Sequence, residues 1–190
     1  MGRAKLKRLE ETTLNTFFQI CKMQGIPATE YNYKSKASIT FGNGSEIILK
    51  DLFSYPSDPN FDSLGSLEIT GAFVDECNEV SFKAWEILKS RIRYKLDENG
   101  LIPKILGTCN PSKGWVYREL FKPHRENKLD PSRKFLQSLA TDNPYISKHY
   151  IENLRSLKSQ ATKERLLFGN WEYDDDPLKL VPHENAIHVF

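Results

Sequence analysis

Several features that mark out whole classes of protein are scarce in this 190-residue chain. Cysteine is one: Cys21, Cys77 and Cys109 are odd in number and far apart. They match neither a disulfide framework nor a zinc-ligand spacing, and they point to a reducing, intracellular setting. No apolar run reaches the length of a membrane span, and the first residues lack the apolar stretch of a signal peptide. Neither charge dominates: 27 Lys and Arg face 25 Asp and Glu, for a net charge of +2. Such a balance permits contact with a polyanion without requiring it. Internal repeats and low-complexity linkers are missing as well. What is present, 39% hydrophobic and 27% charged residues, is enough to build one globular domain with a core.

The slight basic excess is unevenly placed. Arg3, Lys5, Lys7 and Arg8 crowd the start, whereas Glu172, Asp174, Asp175 and Asp176 mark the end. The basic turn reads as a solvated helix face, with phosphate contact as the alternative. For the acidic run, a solvated tail competes with a metal cluster.

Periodicity organises the rest. Leu6, Leu9, Thr13, Phe17, Ile20 and Cys21 recur at helical spacing, and Gly25 with Pro27 ends that helix. A strand-like stretch surrounds Tyr31 and Tyr33. Ser38 to Phe41 and Glu46 to Leu49 flank Gly42-Asn43-Gly44, a hairpin signal. A loop over Pro56, Asp58, Pro59 and Asn60 leads to Ile69–Val74, an apolar strand of the kind buried on both faces. An amphipathic helix from Ser81 to Ile92 carries Trp85, Ile87 and Leu88. Then come a strand from Lys104 to Thr108, a helix from Trp115 to Phe121, and a strand from Lys134 to Leu139. Helices over Ser147–Leu157 and Thr162–Phe168 close the pattern before Gly169-Asn170 and the tail. Strands alternating with helices predict an α/β layered domain on a largely parallel sheet.

Two strand ends carry chemistry. In Gly71-Ala72-Phe73-Val74-Asp75-Glu76 an apolar strand delivers adjacent carboxylates at its C-terminal end, the edge where open α/β sheets bind ligands. Nucleotide hydrolysis needs one carboxylate on the Mg²⁺ side and another to orient or deprotonate water. A solvated Asp-Glu turn is the plainer alternative. In Gly107-Thr108-Cys109-Asn110-Pro111 a second strand ends in a hydroxyl and an amide. These suit contact with a γ-phosphate or its water, and also suit an ordinary Asn-Pro turn.

Taken in order, these stretches resemble phage terminase large subunits. The resemblance runs from Leu64-Gly65-Ser66-Leu67-Glu68 through Gly71–Val80, Arg91 and Gly107–Pro111. It continues in Asp142-Asn143-Pro144-Tyr145, Tyr150, Leu154 and Arg165-Leu166-Leu167-Phe168-Gly169-Asn170-Trp171, and it covers about residues 3 to 173. It implies a partial P-loop NTPase-like (ASCE/RecA-like) core over 1–140, a small helical linker subdomain over 141–173 and a tail over 174–190. It also implies a piece of the ATP-driven DNA-packaging motor, with Asp75 as the Walker B carboxylate on the magnesium side and Glu76 as the catalytic base. Thr108 and Asn110 would lie in the motif that couples hydrolysis to DNA movement. The implied cofactors are ATP and Mg²⁺, and the implied partners are double-stranded DNA, the portal protein and the small terminase subunit. The implied location is the cytoplasm of an infected bacterium.

The family's phosphate-binding loop should lie upstream of the first helix, and its nuclease domain should follow Trp171. The chain is therefore expected to lack both, and to hydrolyse no ATP alone. Loss of a sheet strand would leave an unpaired edge, inviting self-association or a complementing N-terminal fragment. Alternative readings are a non-catalytic remnant serving assembly or DNA contact, and a metal-dependent nuclease using the carboxylates directly. Two segments only imitate known sites. Gly107 to Gly114 has a Gly and a Lys at phosphate-loop separation, but Pro111 removes an amide and Gly114 stands where Ser or Thr is needed. His183 and His188 are five apart rather than four, so they share no helical face. Trp85, Trp115 and Trp171 read as packing residues, and Arg91 with Arg93 as a surface pair.

Overall fold

A computed structural model of the chain describes residues 1–31 and 37–173. Tyr33, the Asp174–Asp176 run and His183 with His188 lie outside the described residues. The chain divides into two compact units, Met1–Cys109 and Asn110–Phe190.

The first unit is built on a four-stranded parallel sheet. Its strands are β1 (Gly2–Arg3), β5 (Lys50–Asp51), β6 (Gly71–Val74) and β7 (Lys104–Gly107), in the order β5-β1-β6-β7. β1 is not legible as a strand, since sequence periodicity starts the chain directly on a helix. Two residues are too short for periodicity to register, and their neighbours define the strand. Gly2 pairs with Lys50 on one side and Val74 on the other. The Met1 amine donates to the Ile48 carbonyl at 2.7 Å, and Lys50 N–H donates to the Met1 carbonyl at 2.9 Å.

A continuous helical stretch comes next, from α1 (Leu6–Arg8) through a π-helical turn (Leu9–Thr13) to α2 (Leu14–Met23). In the π turn Leu14 N–H bonds to the Leu9 carbonyl, five residues back. Residues five apart therefore stack on one face, and Leu9 and Leu14 both enter the core. The same extra residue shifts the helical phase of α2. Ile20, placed on the apolar face by regular α spacing, is 52% exposed.

β2 (Ala28–Tyr31), β3 (Ser38–Phe41) and β4 (Glu46–Ile48) form a separate antiparallel sheet, β2-β3-β4. The β3–β4 hairpin is the one expected from Gly42-Asn43-Gly44. Its Ile39, with Leu49 beyond β4, packs on Leu9 and Leu14, and Phe17, Phe18, Phe41 and Ile47 close around them. After α3 (Asp62–Gly65), β6 carries the chain to α4 (Phe82–Ser90), which Ser81 caps by accepting from Ala84 N–H at 3.2 Å.

The register of β6 on β7 runs without a slip from Gly71 opposite Lys104 to Val74 opposite Gly107. Burial on both faces holds only at the end of β6. Val74 is fully buried, Ala72 and Phe73 are half-buried, and Gly71 is exposed. Among the described residues β7 has one strand neighbour, and its Leu106 is 60% exposed. Gly107 is a glycine for steric reasons. A Cβ there would sit 2.9 Å from Cys77 Sγ and 3.1 Å from the Trp85 ring.

The second unit is organised by aromatic rings. Trp115 and Val116 are buried, and the π turn Tyr117–Phe121 runs into α5 (Lys122–Arg125). Phe121 stacks on Trp171 with centroids 5.0 Å apart, and Phe135 meets both edge-on at 5.6 Å. The strand expected over Lys134–Leu139 is not one. The segment has no regular secondary structure and no strand partner among the described residues, and Leu136 is 76% exposed. Phe135 anchors it through its ring, and Gln137 Nε2 donates to the Gly169 carbonyl at 2.9 Å. α6 (Lys148–Arg155) and α7 (Gln160–Leu166) are the expected helical pair, and Gly169 beyond them has a φ of +60°. Among the described residues no helix is long and apolar enough to cross a membrane.

Burial lowers the pKa of the Met1 amine from 8.0 to about 6. Between those values the unfolded chain holds a proton that the folded chain has released, so stability rises with pH across this window. The gain expected for the 190-residue polypeptide is roughly 2–3 kcal/mol. Urea unfolding at several pH values reads it directly. Acetylating the amine should remove that rise, and an unchanged profile would count against it.

Candidate functional site

Because the four strands of the first unit are parallel, their C-terminal ends share one edge of the sheet. Arg3 ends β1, Asp51 ends β5, Asp75 follows β6 and Thr108 follows β7. The Asp75 N–H donates to the Gly2 carbonyl at 2.9 Å, and the Thr108 N–H donates to the Val74 carbonyl at 3.0 Å. Backbone pairing thus carries the two side chains to adjacent positions before any side-chain bond forms.

The Asp75 carboxylate is held on both oxygens. Oδ1 accepts from Thr108 Oγ1 at 2.9 Å. Oδ2 accepts from Thr13 Oγ1 at 2.6 Å and from an Arg3 guanidinium nitrogen at 3.4 Å. The Arg3 side chain is 13% exposed and that of Asp75 is 23% exposed. Solvent therefore screens this pair less than a surface bridge. Glu79 joins at the rim, with Arg8 at 3.2 Å and Arg3 Nε at 3.9 Å. The second distance is too long for a hydrogen bond, and Arg3 Nε is buried without one.

Sequence reasoning joins Asp75 and Thr108 to the same edge, and the structure bonds them directly. Thr13 and Arg3 escape it. The sequence puts Arg3 and Arg8 on a solvated helix face. Instead, Arg3 lies at the end of a buried strand, and both face the carboxylates of β6 and its following turn. Regular spacing gives Thr13 an apolar-face position; the π turn redirects it to Asp75. The available signal is the pair Thr12-Thr13 in a helix interior, where hydroxyl side chains need a reason to be. Thr12 itself accepts from Arg3 at 2.9 Å and donates to the Arg8 carbonyl at 2.8 Å.

Glu76 has left-handed backbone angles, φ 47° and ψ 51°. A non-glycine residue there carries strain of order 1 kcal/mol, a cost that clusters at functional sites. The turn stops the strand's alternation immediately after Asp75, and the Cys77 N–H then returns to the Thr108 carbonyl at 2.9 Å. Burial and the adjoining Cys109 thiol act together on Cys77: the hydrogen bond to Cys109, then desolvation, raise its thiol well above the ordinary range. Asn110 opens the second unit and is half-buried there. Arg91 and Arg93 are engaged elsewhere, Arg91 with the Gly65 carbonyl at 2.9 Å and Arg93 with Glu68 at 3.4 Å.

The parallel sheet thus carries a carboxylate and a hydroxyl bonded across two strand ends. The sequence profile of the phage terminase large subunit family matches residues 3–167. The chain belongs to this family. No curated protein matches it. Among solved structures it is similar to the large terminase of a thermophilic bacteriophage in crystal form 2. That similarity has a TM-score of 0.68 and 18% identity, over 93% of this chain and 43% of that one. The same phage's large terminase in complex with ADP gives a TM-score of 0.68 at 19% identity, over 90% of this chain and 39% of that one. In complex with ATP-γ-S it gives 0.61 at 18% identity, over 93% and 42%. These likenesses establish a shared fold. The terminase chain described here spans about two fifths of the length of those relatives.

If the Thr13 hydroxyl holds Asp75, Thr13→Val should cost about 1.5–3 kcal/mol, the range for a hydrogen bond to a charged group. Thr13→Ser, which keeps the hydroxyl, should retain most of that stability. Urea unfolding of the two variants distinguishes them; equal losses would show that the methyl group matters and the bond does not.

Proposed function

We propose that this terminase chain is a piece of the ATP-driven DNA-packaging motor, carrying the Walker B and coupling motifs and unable to hydrolyse ATP alone. The observation that carries the reading is the bond between Asp75 and Thr108 across the ends of β6 and β7, in a chain of the large-subunit family. In this reading Asp75 is the Walker B carboxylate and Glu76 the general base. Thr108 and Asn110 answer to the γ-phosphate.

The donor set suits a hard cation. A carboxylate and two hydroxyls, from Asp75, Thr13 and Thr108, offer only oxygens. Among the described residues there is no group of three or more His, Cys, Asp or Glu side chains that could hold a metal ion. Asp75 would hold Mg²⁺, with Thr108 bonded to its other side. When bound, the ion would neutralise charge on the β- and γ-phosphates. The chain's own part is to fix Asp75 through Thr13 and Arg3 and to keep Glu76 at the turn beyond the strand.

ATP as cofactor draws on the relatives, whose structures were solved with ADP and ATP-γ-S. Inactivity of the 190 residues by themselves is part of this reading, since they contain no Gly-Lys-Ser or Gly-Lys-Thr to hold the phosphates. Among the described residues β7 is paired on one side only and Leu106 is exposed, and its other side is where a complementing fragment or a second copy would add a strand. Double-stranded DNA, the portal protein and the small terminase subunit are the partners this function entails, in the cytoplasm of an infected bacterium. A non-catalytic remnant for assembly or DNA contact is the competing reading.

Turnover of ATP by the chain alone, and with a fragment supplying a Gly-Lys-Ser/Thr loop, separates the two. We expect none alone and hydrolysis by the pair. Glu76→Gln should slow the pair by roughly 10²-fold or more, the range for removing a general base. Asp75→Ala should abolish turnover. A rate untouched by Glu76→Gln overturns the assignment of the base; a pair that never hydrolyses ATP favours the remnant.

A further inference from the structure

Two thiols flank the Asp75–Thr108 bond without holding it. Cys77 is 3% exposed, and its N–H donates to the Thr108 carbonyl at 2.9 Å. Its sulfur lies over Gly107, 2.9 Å from where a Cβ would stand. The Cys77 thiol is hydrogen-bonded with that of Cys109. The register that sets Val74 opposite Gly107, carried on by the Cys77 N–H bond to the Thr108 carbonyl, brings residues 77 and 109 to the same end of the paired strands. Two sulfurs already in hydrogen-bond contact need only a short approach to reach the roughly 2.05 Å of an S–S bond. Cys109 is half-buried and reachable, whereas Cys77 and Cys21 are buried.

We propose that Cys77 and Cys109 form a reversible disulfide that clasps the ends of β6 and β7. The oxidant is an external disulfide of the glutathione class. The Cys109 sulfur attacks it, breaking its S–S bond, releasing one glutathione thiol and leaving a mixed disulfide on Cys109. The Cys77 sulfur then displaces the second glutathione. Two protein thiols are oxidised, one glutathione disulfide is reduced to two thiols, and each protein proton ends on a departing thiol. Intracellular disulfides of this kind are transient and redox-sensing rather than structural. The bond itself is independent of any nucleotide. Its consequence, fixing Thr108 against Asp75 and tying the turn that bears Glu76 to the coupling motif, rests on the function proposed for those residues.

The test treats the folded 190-residue chain with oxidised glutathione, counts thiols, and maps peptides by mass spectrometry. The thiol count should fall from three to one. A Cys77–Cys109 bridged peptide should appear in a chain of monomer mass, and dithiothreitol should restore all three thiols. Cys77→Ser should stop at a mixed disulfide on Cys109, and Cys109→Ser should take up no glutathione. Three thiols persisting in the wild-type chain, a stable glutathione adduct on Cys109, or a bridge through Cys21 or between chains would each overturn the proposal. Because the wild-type chain carries the test, a variant that fails to fold leaves it decidable. None of these readouts depends on ATP turnover, so failure of the clasp is distinguishable from failure of the motor reading.

Discussion

The pairing of β6 with β7 is the constraint on which the first unit's chemistry depends. Four residues of unbroken register bring a carboxylate and a hydroxyl to the same height on the sheet. The pairing continues past the strands through Thr108 to Val74 and Cys77 to Thr108. Its steric condition is Gly107. Trp85 from α4 and Cys77 from the turn both close over that position, and a methyl group there would push against a ring and a sulfur. Overpacking of this kind typically costs about 1–3 kcal/mol. Here the displaced atoms would belong to the turn that carries Glu76, so the cost would fall on geometry as well as stability.

Around that pairing the protein balances charge inside a partly dry edge. Arg3 faces two carboxylates, Asp75 and Glu79, and Arg8 covers the second from outside. A half-buried cation of this kind is tolerable because two carboxylates face it and because Thr12 takes one guanidinium hydrogen. Asp75, in turn, is satisfied by two hydroxyls and a cation, leaving its carboxylate oriented before anything binds. Preorganisation of this sort is what a site needs if charge is to be met without rearrangement.

Much of this is legible in the sequence where local pattern and tertiary role agree. The hairpin around Gly42-Asn43-Gly44 follows from turn chemistry, and the apolar run into Asp75 follows from strand propensity. Asp75 and Thr108 can be placed on one edge because parallel strands put their C-terminal ends together. The signal fails where tertiary context decides. β1 is two residues long and owes its strand geometry to neighbours from residues 50 and 74. Lys134–Leu139 has strand-like alternation, but Phe135 joins an aromatic stack and the segment has no strand partner among the described residues. Arg3, Lys5, Lys7 and Arg8 read as one basic patch, although Arg3 belongs to a buried strand and Lys7 is on open helix surface. Periodicity assigns each side chain to a face but says nothing of what the other elements bring to it.

The π turn at Leu9–Thr13 has a consequence for how this segment tolerates change in length. Its extra residue lets Leu9 and Leu14 enter the hairpin core while Thr13 reaches Asp75. A regular α-helix advances about 100° per residue. Deleting one residue from the turn would therefore rotate either the core-facing leucines or the threonine out of place, and inserting one would do the same in the opposite sense. The helix is a fixed-length spacer between the hydrophobic core and the carboxylate. Among natural relatives this stretch should drift in side-chain identity far more readily than in residue number.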